Sequence, residues 1–200
     1  MSRYLSLYNL LSFSLWLAIL VRLCILYYLV GPEFVSEGMA EFVSWVQALA
    51  VLEVVHVIFG LVRSSVITTA MQVASRLAII WGVVRLFPAS GASVAFSTMV
   101  LAWAITECIR YPYYFFALQG RVPPILEWIR YTAFIALYPL GAISEAWLAY
   151  RALPAAQFWH PYYALFLKVL LLIYPPSFYV LYMHMWKQRR KVFGRKLKRN

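Results

Sequence analysis

The chain has 200 residues, of which 64% are hydrophobic and only 12% are charged, with a formal net charge of +11 and a mean hydropathy of +0.74. A soluble domain of this length cannot bury so much apolar surface, which excludes a soluble globular protein and indicates an integral membrane protein. No hydrophilic stretch is long enough to form a second folded domain, so the function must lie within the membrane helices or their short connections.

Six apolar runs of about 20 residues, each bounded by turn or charge signals, predict six transmembrane helices. A β-barrel would instead show alternating hydrophobicity in segments about half as long. We therefore expect an all-α, polytopic six-helix transmembrane bundle at residues 1–186, followed by a basic cytosolic tail at residues 187–200. The predicted spans are residues 6–30, 42–62, 66–87, 93–116, 125–149 and 161–185, with connections that include residues 31–41 and 151–160.

The first predicted span is too long for a secretory signal and lacks a small-x-small cleavage site, so we expect it to remain in the protein. Cys24 lies in this span and Cys108 in the fourth, where a thiol behaves as a small hydrophobe and implies no disulfide. A tyrosine phosphatase loop of the form C-x5-R would place an arginine six residues after its cysteine. The residues at those positions are Val30 and Tyr114, which does not support that chemistry.

Basic residues crowd the last fourteen positions, and Arg63 and Arg121 border the second and fourth connections. The first connection instead carries Glu33, Glu37 and Glu41. The positive-inside rule therefore places both termini in the cytosol, with the tail at anionic lipid headgroups rather than on nucleic acid. The final K-L-K-R-N is similar to the dibasic retrieval signal of endoplasmic reticulum membrane proteins, which predicts a multi-pass protein of that membrane.

The second and fourth spans contain charged residues, each of which costs roughly 2.5–3.5 kcal/mol near the centre of a bilayer. Helical spacing gathers these residues on one stripe in each span. In the structural interpretation, Glu53 pairs with His56 or Arg76, and Glu107 pairs with Arg110. These buried pairs would fix the register of the helices. No cluster has metal-ligand spacing, so no metal is expected. The stripes are Glu53, His56, Gly60 and Arg63 in the second span, and Trp103, Glu107, Arg110, Tyr111 and Tyr114 in the fourth.

The fifth span carries the longest stripe and contains the sequence LYPLGAISEAW at residues 137–147. Tyr138 and Glu145 are seven residues apart, which places them on one helix face and about 10 Å apart along the axis. Pro139 loosens the preceding turn and Gly141 leaves space for a ligand, so we expect a slot between the phenol and the carboxylate. The whole stripe is Glu127, Tyr131, Phe134, Tyr138, Gly141 and Glu145.

Two interpretations of this slot stay open on the residues alone. In the first, a phenol and a carboxylate that face one ligand transfer protons to and from it. In the second, Tyr138 is a packed tyrosine bonded to a neighbouring carbonyl, and Glu145 is a carboxylate near the lumenal end that is solvated or paired with Arg151.

Five motifs are spread over nearly the whole chain. They are Y-L-x-L-Y-N at Tyr4–Asn9, Q-x-x-A-x-L-E-x-x-H-x-x-x-G-L-V-R-S at Gln47–Ser64, S-R at Ser75–Arg76 with Trp81 and Phe87–Pro88, W-x-x-T-E-x-I-R-Y at Trp103–Tyr111, and W-x-R-Y-x-x-F-x-x-L-Y-P-x-G-x-x-S-E at Trp128–Glu145. Together they resemble the 3-hydroxyacyl-CoA dehydratases of very-long-chain fatty acid elongation, a six-span endoplasmic reticulum family once described as protein tyrosine phosphatase-like. One departure is Ser65, where the family often has proline; it concerns a turn and leaves the proposed site undisturbed.

The resemblance implies that Tyr138 and Glu145 are the catalytic pair of a hydro-lyase that converts (3R)-3-hydroxyacyl-CoA to trans-2-enoyl-CoA. This elimination needs a base for the proton next to the carbonyl and an acid for the leaving hydroxyl. We assign Glu145 as the base and Tyr138 as the acid or as a donor to the enolate oxygen, with the reverse assignment open. No cofactor is expected, because loss of water changes no net oxidation state and no phosphate-cradling glycine motif is present.

Acyl-CoA is made on the cytosolic side, so we expect a polar vestibule open to the cytosol, with the acyl tail between apolar helices. Arg63, Arg121 and Arg130 are expected at its mouth, in contact with the CoA phosphates. The expected partners are long-chain 3-hydroxyacyl-CoA, membrane lipid and the elongase and reductase enzymes of the elongation cycle, with no nucleic acid. Residues expected to bind substrate or to support the site are Glu53, His56, Arg63, Glu107, Arg110, Tyr111, Arg121, Arg130, Tyr131, Gly141 and Ser144.

A rival hypothesis is a non-catalytic membrane scaffold that holds the partners of a lipid-synthesis complex through its basic tail and aromatic helices. A weaker one is a small transporter that relays protons through Glu53, Glu107 and Glu145. The two halves of the chain lack the paired broken helices that an inverted repeat would show, which argues against transport.

Overall fold

The computed structural model describes residues 2–197, with side chains described for residues 3–194, and within this range the regular structure is entirely helical, as the sequence predicts. Gly31 (φ 86°) and Gly120 (φ 72°) follow two of the longest helices in the left-handed conformation that glycine adopts without strain. The elements are α1 (Ser2–Val30), α2 (Val35–Ala48), α3 (Val51–Ile58), α4 (Val66–Leu77) continued by a π-helix (Ala78–Arg85), α5 (Pro88–Gly91), α6 (Val94–Leu118), α7 (Pro124–Arg130), α8 (Phe134–Trp159) and α9 (Pro161–Leu197).

Five helical segments of the described chain are long and apolar enough to cross a membrane. Helix α6 is not among them, although its 25 residues provide the necessary length. It is less apolar because it contains Glu107, Arg110 and three tyrosines. The five segments are Arg3–Val30, Val35–Ile58, Val66–Arg85, Pro124–Trp159 and Pro161–Gly194.

Helix α6 forms the middle of the bundle, where it packs against α1 and α8. Its residues Phe96 and Met99 are fully buried and belong to one apolar cluster with Ile19 of α1 and Leu148 of α8. Because neighbouring helices surround α6, its polar side chains can meet protein groups instead of lipid. Helix α9, by contrast, packs mainly against α8, and the exposed side of α9 includes Leu172.

Several predicted boundaries were wrong. The connection expected at residues 31–41 is already helical from Val35, and the one expected at 151–160 is helical through Trp159. Pro154 of this predicted connection lies inside α8, where packing in the bundle offsets the lost hydrogen bond. The fifth predicted span is interrupted at residues 131–133, and α9 continues well beyond residue 185.

The π-helix lies beside the start of α9. Tyr163 of α9 donates a hydrogen bond to the carbonyl oxygen of Gly82 at 2.8 Å. A Cβ at position 82 would lie only 2.8 Å from the same hydroxyl oxygen, so the glycine permits this close approach. The contact anchors the first turns of α9 to an element other than α8.

Replacing Tyr163 by phenylalanine is expected to lower the free energy of unfolding by about 1 kcal/mol, because one intramolecular hydrogen bond is lost. The matched control is Tyr162→Phe, since the neighbouring Tyr162 is 78% exposed. Thermal unfolding of both variants in the same detergent measures the difference. Equal melting temperatures for the two variants would contradict an anchoring role for Tyr163.

Candidate active site

Glu145 lies in the middle of α8, with both carboxylate oxygens hydrogen-bonded to side chains of other helices. Trp103 of α6 donates through Nε1 to Oε1 at 2.8 Å, and the Tyr174 hydroxyl of α9 donates to Oε2 at 2.5 Å. The alternative pairing of Glu145 with Arg151 is wrong, because Arg151 donates to the backbone carbonyl of Ala92. Glu145 is therefore a carboxylate held inside the bundle by two neutral donors, with no cation bonded to it among the described residues.

Tyr138 lies two turns before Glu145 on α8, and its ring packs against α9. It stacks on Phe178 with ring centroids 5.1 Å apart and on Tyr182 at 6.2 Å, with interplanar angles of 18° and 15°. The Tyr182 hydroxyl in turn donates to the backbone carbonyl of Ile135, which Pro139 leaves without its helical partner. The Tyr138 ring is thus fixed by stacking, and within the described residues no hydrogen bond joins it to Glu145.

Gly141 and Ser144 lie on α8 between these two residues and face α6. A Cβ at Gly141 would lie 3.6 Å from the Cβ of Ala102 and 4.0 Å from Oε1 of Glu145, so the missing side chain keeps space open beside the carboxylate. Ser144 donates to the carbonyl oxygen of Leu140 and shares a 2.7 Å hydrogen bond with Thr98 of α6. Ser144 therefore joins α8 to α6, whereas Gly141 borders the predicted slot.

A network of four charged side chains lies beside the site and connects α3, α4 and α6. Arg110 makes a two-pronged ion pair with Glu53, at 2.6 and 2.7 Å, and donates through Nε to Glu107 at 2.5 Å. Arg76 donates to the other oxygen of Glu107. The predicted pair of Glu107 and Arg110 is confirmed, whereas the predicted pairing of Glu53 with His56 or Arg76 is wrong.

This network is enclosed by aromatic side chains, which link it to the site and to α1. The Arg76 guanidinium lies 5.0 Å from the ring centroid of Trp103, the donor to Glu145. At the other end, Tyr111 donates to Glu53 at 2.7 Å. His56 shares a 2.9 Å hydrogen bond with Tyr4 and is almost fully buried, so it is a packing residue of α3 against α1.

The arginines expected to bind CoA occupy three different connections or helix ends. Arg63 is exposed between α3 and α4, and Arg121 is exposed between α6 and α7. Arg130 ends α7, where it donates to the Tyr114 hydroxyl at 3.2 Å and lies over the ring of Tyr113. Tyr131 follows in the break between α7 and α8, and its ring lies 6.2 Å from that of Tyr113.

Two surface clefts of the described structure lie apart from this site. One of about 340 Å³ is lined by Arg22, Glu37 and Trp45, and one of about 290 Å³ between α1 and α6 is apolar. Neither is lined by Tyr138 or Glu145. Across the described residues, no group of three or more histidine, cysteine or carboxylate side chains is placed to hold a metal ion.

The predicted site lacked two residues that the structure brings to Glu145. Trp103 was recognised in the fourth span but was not assigned to the carboxylate, and Tyr174 was not singled out at all. A signal for Tyr174 exists in the sequence, because Tyr111, Tyr138 and Tyr174 are each followed directly by proline inside an apolar span. All three of these tyrosines lie in the site or in the adjoining network.

Comparison with known proteins agrees with the motifs. Residues 47–195 match the family model described as "Protein tyrosine phosphatase-like protein, PTPLA". A Schizosaccharomyces pombe protein named "Probable very-long-chain (3R)-3-hydroxyacyl-CoA dehydratase" is 44% identical over 96% of this chain and 94% of its own length. No solved structure matches the chain.

Two more distant relatives carry the same type of name. A human protein, "Very-long-chain (3R)-3-hydroxyacyl-CoA dehydratase 2", is 36% identical over 96% of this chain and 81% of its own length. An Arabidopsis thaliana protein, "Very-long-chain (3R)-3-hydroxyacyl-CoA dehydratase PASTICCINO 2", is 38% identical over 76% of this chain and 69% of its own length.

Proposed function

The chain belongs to the protein tyrosine phosphatase-like (PTPLA) family, and we propose that it is a hydro-lyase that dehydrates (3R)-3-hydroxyacyl-CoA to trans-2-enoyl-CoA in very-long-chain fatty acid elongation. The observation that carries the proposal is the arrangement around Glu145. A carboxylate with two neutral donors, on the same helix as a stacked tyrosine, supplies the base and the acid that this elimination needs. The names of the relatives supply the substrate class.

In the proposed reaction, Glu145 removes a proton from C2 of the acyl chain, next to the thioester carbonyl. The electrons of that C–H bond form the double bond between C2 and C3, and the C3–O bond breaks. Tyr138 gives its phenolic proton to the departing hydroxyl, which leaves as water. Elimination of water changes no net oxidation state, so the chain's own acid and base suffice for the proton transfers.

The surrounding side chains orient the two reacting groups. Trp103 and Tyr174 limit the rotation of the Glu145 carboxylate, and stacking on Phe178 and Tyr182 limits the rotation of Tyr138. Preorganised groups of this kind lower the barrier because no reorientation is needed during the reaction. The Glu53–Arg110–Glu107–Arg76 network is proposed to support the site from behind Trp103, without touching substrate.

For the membrane arrangement, we propose six spans with both termini in the cytosol. In this proposal α6 also crosses the membrane, in addition to the five apolar segments. Its length suffices, and neighbouring helices cover its charged residues. Arg63 and Arg121 border cytosolic connections, and Glu33 and Glu37 lie on the lumenal side, in accord with the positive-inside rule. Insertion of glycosylation acceptor sites into the first and fourth connections tests this, and modification is expected in the first connection alone.

We further propose residence in the endoplasmic reticulum membrane and association with the elongase and reductase of the same cycle. The dibasic pattern that supports this location includes Lys198, which lies outside the described residues. Arg63, Arg121 and Arg130 are proposed to contact the phosphates of CoA as it enters from the cytosol, because guanidinium groups bind phosphate in two-pronged fashion. The substrate is drawn from the cytosol and the acyl tail lies among the apolar helices.

The test of this function is conversion of (3R)-3-hydroxyacyl-CoA of several long chain lengths by the purified protein in nanodiscs. We expect trans-2-enoyl-CoA as the product, with the 3S epimer as a matched control that stays unconverted. Absence of product with the 3R substrate at every chain length would overturn the proposed dehydratase activity and favour the hypothesis of a non-catalytic scaffold. A Cys24→Ser, Cys108→Ser double variant is expected to keep full activity, which separates the reaction from cysteine phosphatase chemistry.

A further inference from the structure

The two oxygens of the Glu145 carboxylate are held by donors of different chemical type. The indole Nε1–H of Trp103, on Oε1, can only donate a hydrogen bond, whereas the phenol of Tyr174, on Oε2, can donate and accept. When the carboxylate gains a proton, only the contact with Tyr174 can reverse, so that Oε2–H donates to the Tyr174 oxygen. Trp103 holds Oε1 in both the ionised and the protonated state of Glu145, so the proton is expected on Oε2, next to Tyr174.

After one proposed turnover, Glu145 and Tyr138 are not in the protonation states with which the reaction began. The inference drawn from this rests on the proposed function. After elimination the C2 proton is on Glu145, and Tyr138 is a phenolate because its proton left with the hydroxyl as water. The next turnover requires one proton to pass from Glu145 to Tyr138. If the two roles are exchanged, the same transfer is required in the opposite direction.

The structure offers no direct route between the two groups, but Tyr174 is hydrogen-bonded to Glu145 and lies one helical turn before Phe178, which stacks on Tyr138. Tyr138 and Glu145 are two turns apart, and no hydrogen bond joins them in the described structure. Tyr174, Phe178 and Tyr182 follow one another at intervals of four residues and so share one face of α9. Phe178 and Tyr182 stack on Tyr138, so the same face of α9 contacts both reacting groups.

We propose that Tyr174 relays the proton that resets the site between turnovers. Oε2–H of Glu145 gives its proton to the oxygen of Tyr174 while the hydroxyl proton of Tyr174 passes to the product water. That water gives one of its protons to the Tyr138 phenolate. Tyr174 and the water each lose one proton and gain one, Glu145 loses one and Tyr138 gains one, so the site returns to an ionised Glu145 and a neutral Tyr138 with no further reactant.

The test compares the first turnover with later ones in a Tyr174→Phe variant, by rapid quenching with excess (3R)-3-hydroxyacyl-CoA. The relay acts only after the first elimination, so the first turnover loses only the hydrogen bond that orients Glu145 and is expected to slow by about 3- to 10-fold. The steady-state rate is expected to fall about 100-fold, the scale of one general acid–base step. The expected time course is a rapid burst of enoyl-CoA from the first turnover, followed by slow steady-state formation. Tyr179→Phe, an exposed tyrosine on the same helix, is the control and should match wild type in both phases.

The readout is the ratio of the two rate constants per competent site, which the burst amplitude counts. Partial misfolding lowers the amplitude and the steady-state velocity in proportion and leaves this ratio unchanged. An unchanged steady-state rate in Tyr174→Phe would overturn the relay while leaving the dehydratase in place. A first turnover slowed as much as the steady state would also overturn it, since Tyr174 would then only position Glu145 or support the fold. An inactive wild type would remove the proposed function, and the relay with it.

Discussion

Glu145→Gln is expected to lower the rate of 3-hydroxyacyl-CoA dehydration by about 10²- to 10⁴-fold, because the amide cannot take up the C2 proton. The change keeps the size of the side chain. The amide oxygen can still accept from Trp103, and its nitrogen can donate to the oxygen of Tyr174, so the bundle should fold as before. The measurement is kcat with a long-chain 3R substrate, alongside the melting temperature of each preparation.

Tyr138→Phe is expected to cause a loss of the same order, because the ring still stacks on Phe178 but has no proton to give. Glu33→Gln is the matched control for the carboxylate change, since Glu33 is exposed between α1 and α2. Because the two groups act in one step, the double variant should be little slower than the slower single variant. Wild-type activity in either folded single variant would show that the pair does not carry out the proton transfers.

Glu107→Gln is expected to lower the free energy of unfolding by about 3–5 kcal/mol, the scale on which removing one partner destabilises a buried ion pair. The Glu107 side chain is 2% exposed and lies between Arg76 and Arg110. Without its charge, the two guanidinium groups repel each other in a region of low dielectric. Glutamine keeps nearly the same volume, so the measured loss reflects charge and hydrogen bonding instead of an empty cavity.

The matched control is Glu41→Gln, which breaks the 3.9 Å ion pair with Arg85 at the surface, where the Glu41 side chain is 70% exposed. Exposed ion pairs contribute less than about 1 kcal/mol, so this variant should stay close to wild type. Denaturant unfolding of both variants in one lipid–detergent mixture provides the comparison. A loss at Glu107 no greater than that at Glu41 would mean that the network does not stabilise the bundle.

Helical periodicity predicts which residues share a face, but it does not predict which faces meet. It paired Glu107 with Arg110 correctly, because residues three apart on one helix are neighbours. It could not pair Glu53 with Arg110, since that contact depends on how α3 packs against α6. For the same reason the stripe of α8 predicted the spacing of Tyr138 and Glu145, whereas the donors Trp103 and Tyr174 come from other helices.

Prolines and polar stretches caused more of the errors in the predicted helix ends than hydrophobicity did. Pro154 and the polar stretch after Gly31 predicted longer connections than the structure has. In a bundle that buries its helices in lipid and in one another, breaking a helix exposes backbone groups at greater cost than keeping a proline within it. The interruption at residues 131–133 has no proline or glycine in it, so no local residue type marked it.

Tyr138 and Glu145 share a single helix, while the groups that orient them come from α6 and α9. Their spacing is therefore a property of secondary structure and their orientation a property of tertiary structure. A detergent that loosens α9 from α8 would leave the helical content, and hence the far-ultraviolet circular dichroism spectrum, almost unchanged. The same preparation would have lost the donor to Oε2 and the rings that stack on Tyr138. A sample of this protein can thus look fully folded by spectroscopy and be inert, so the choice of solubilising lipid determines what an activity assay reports.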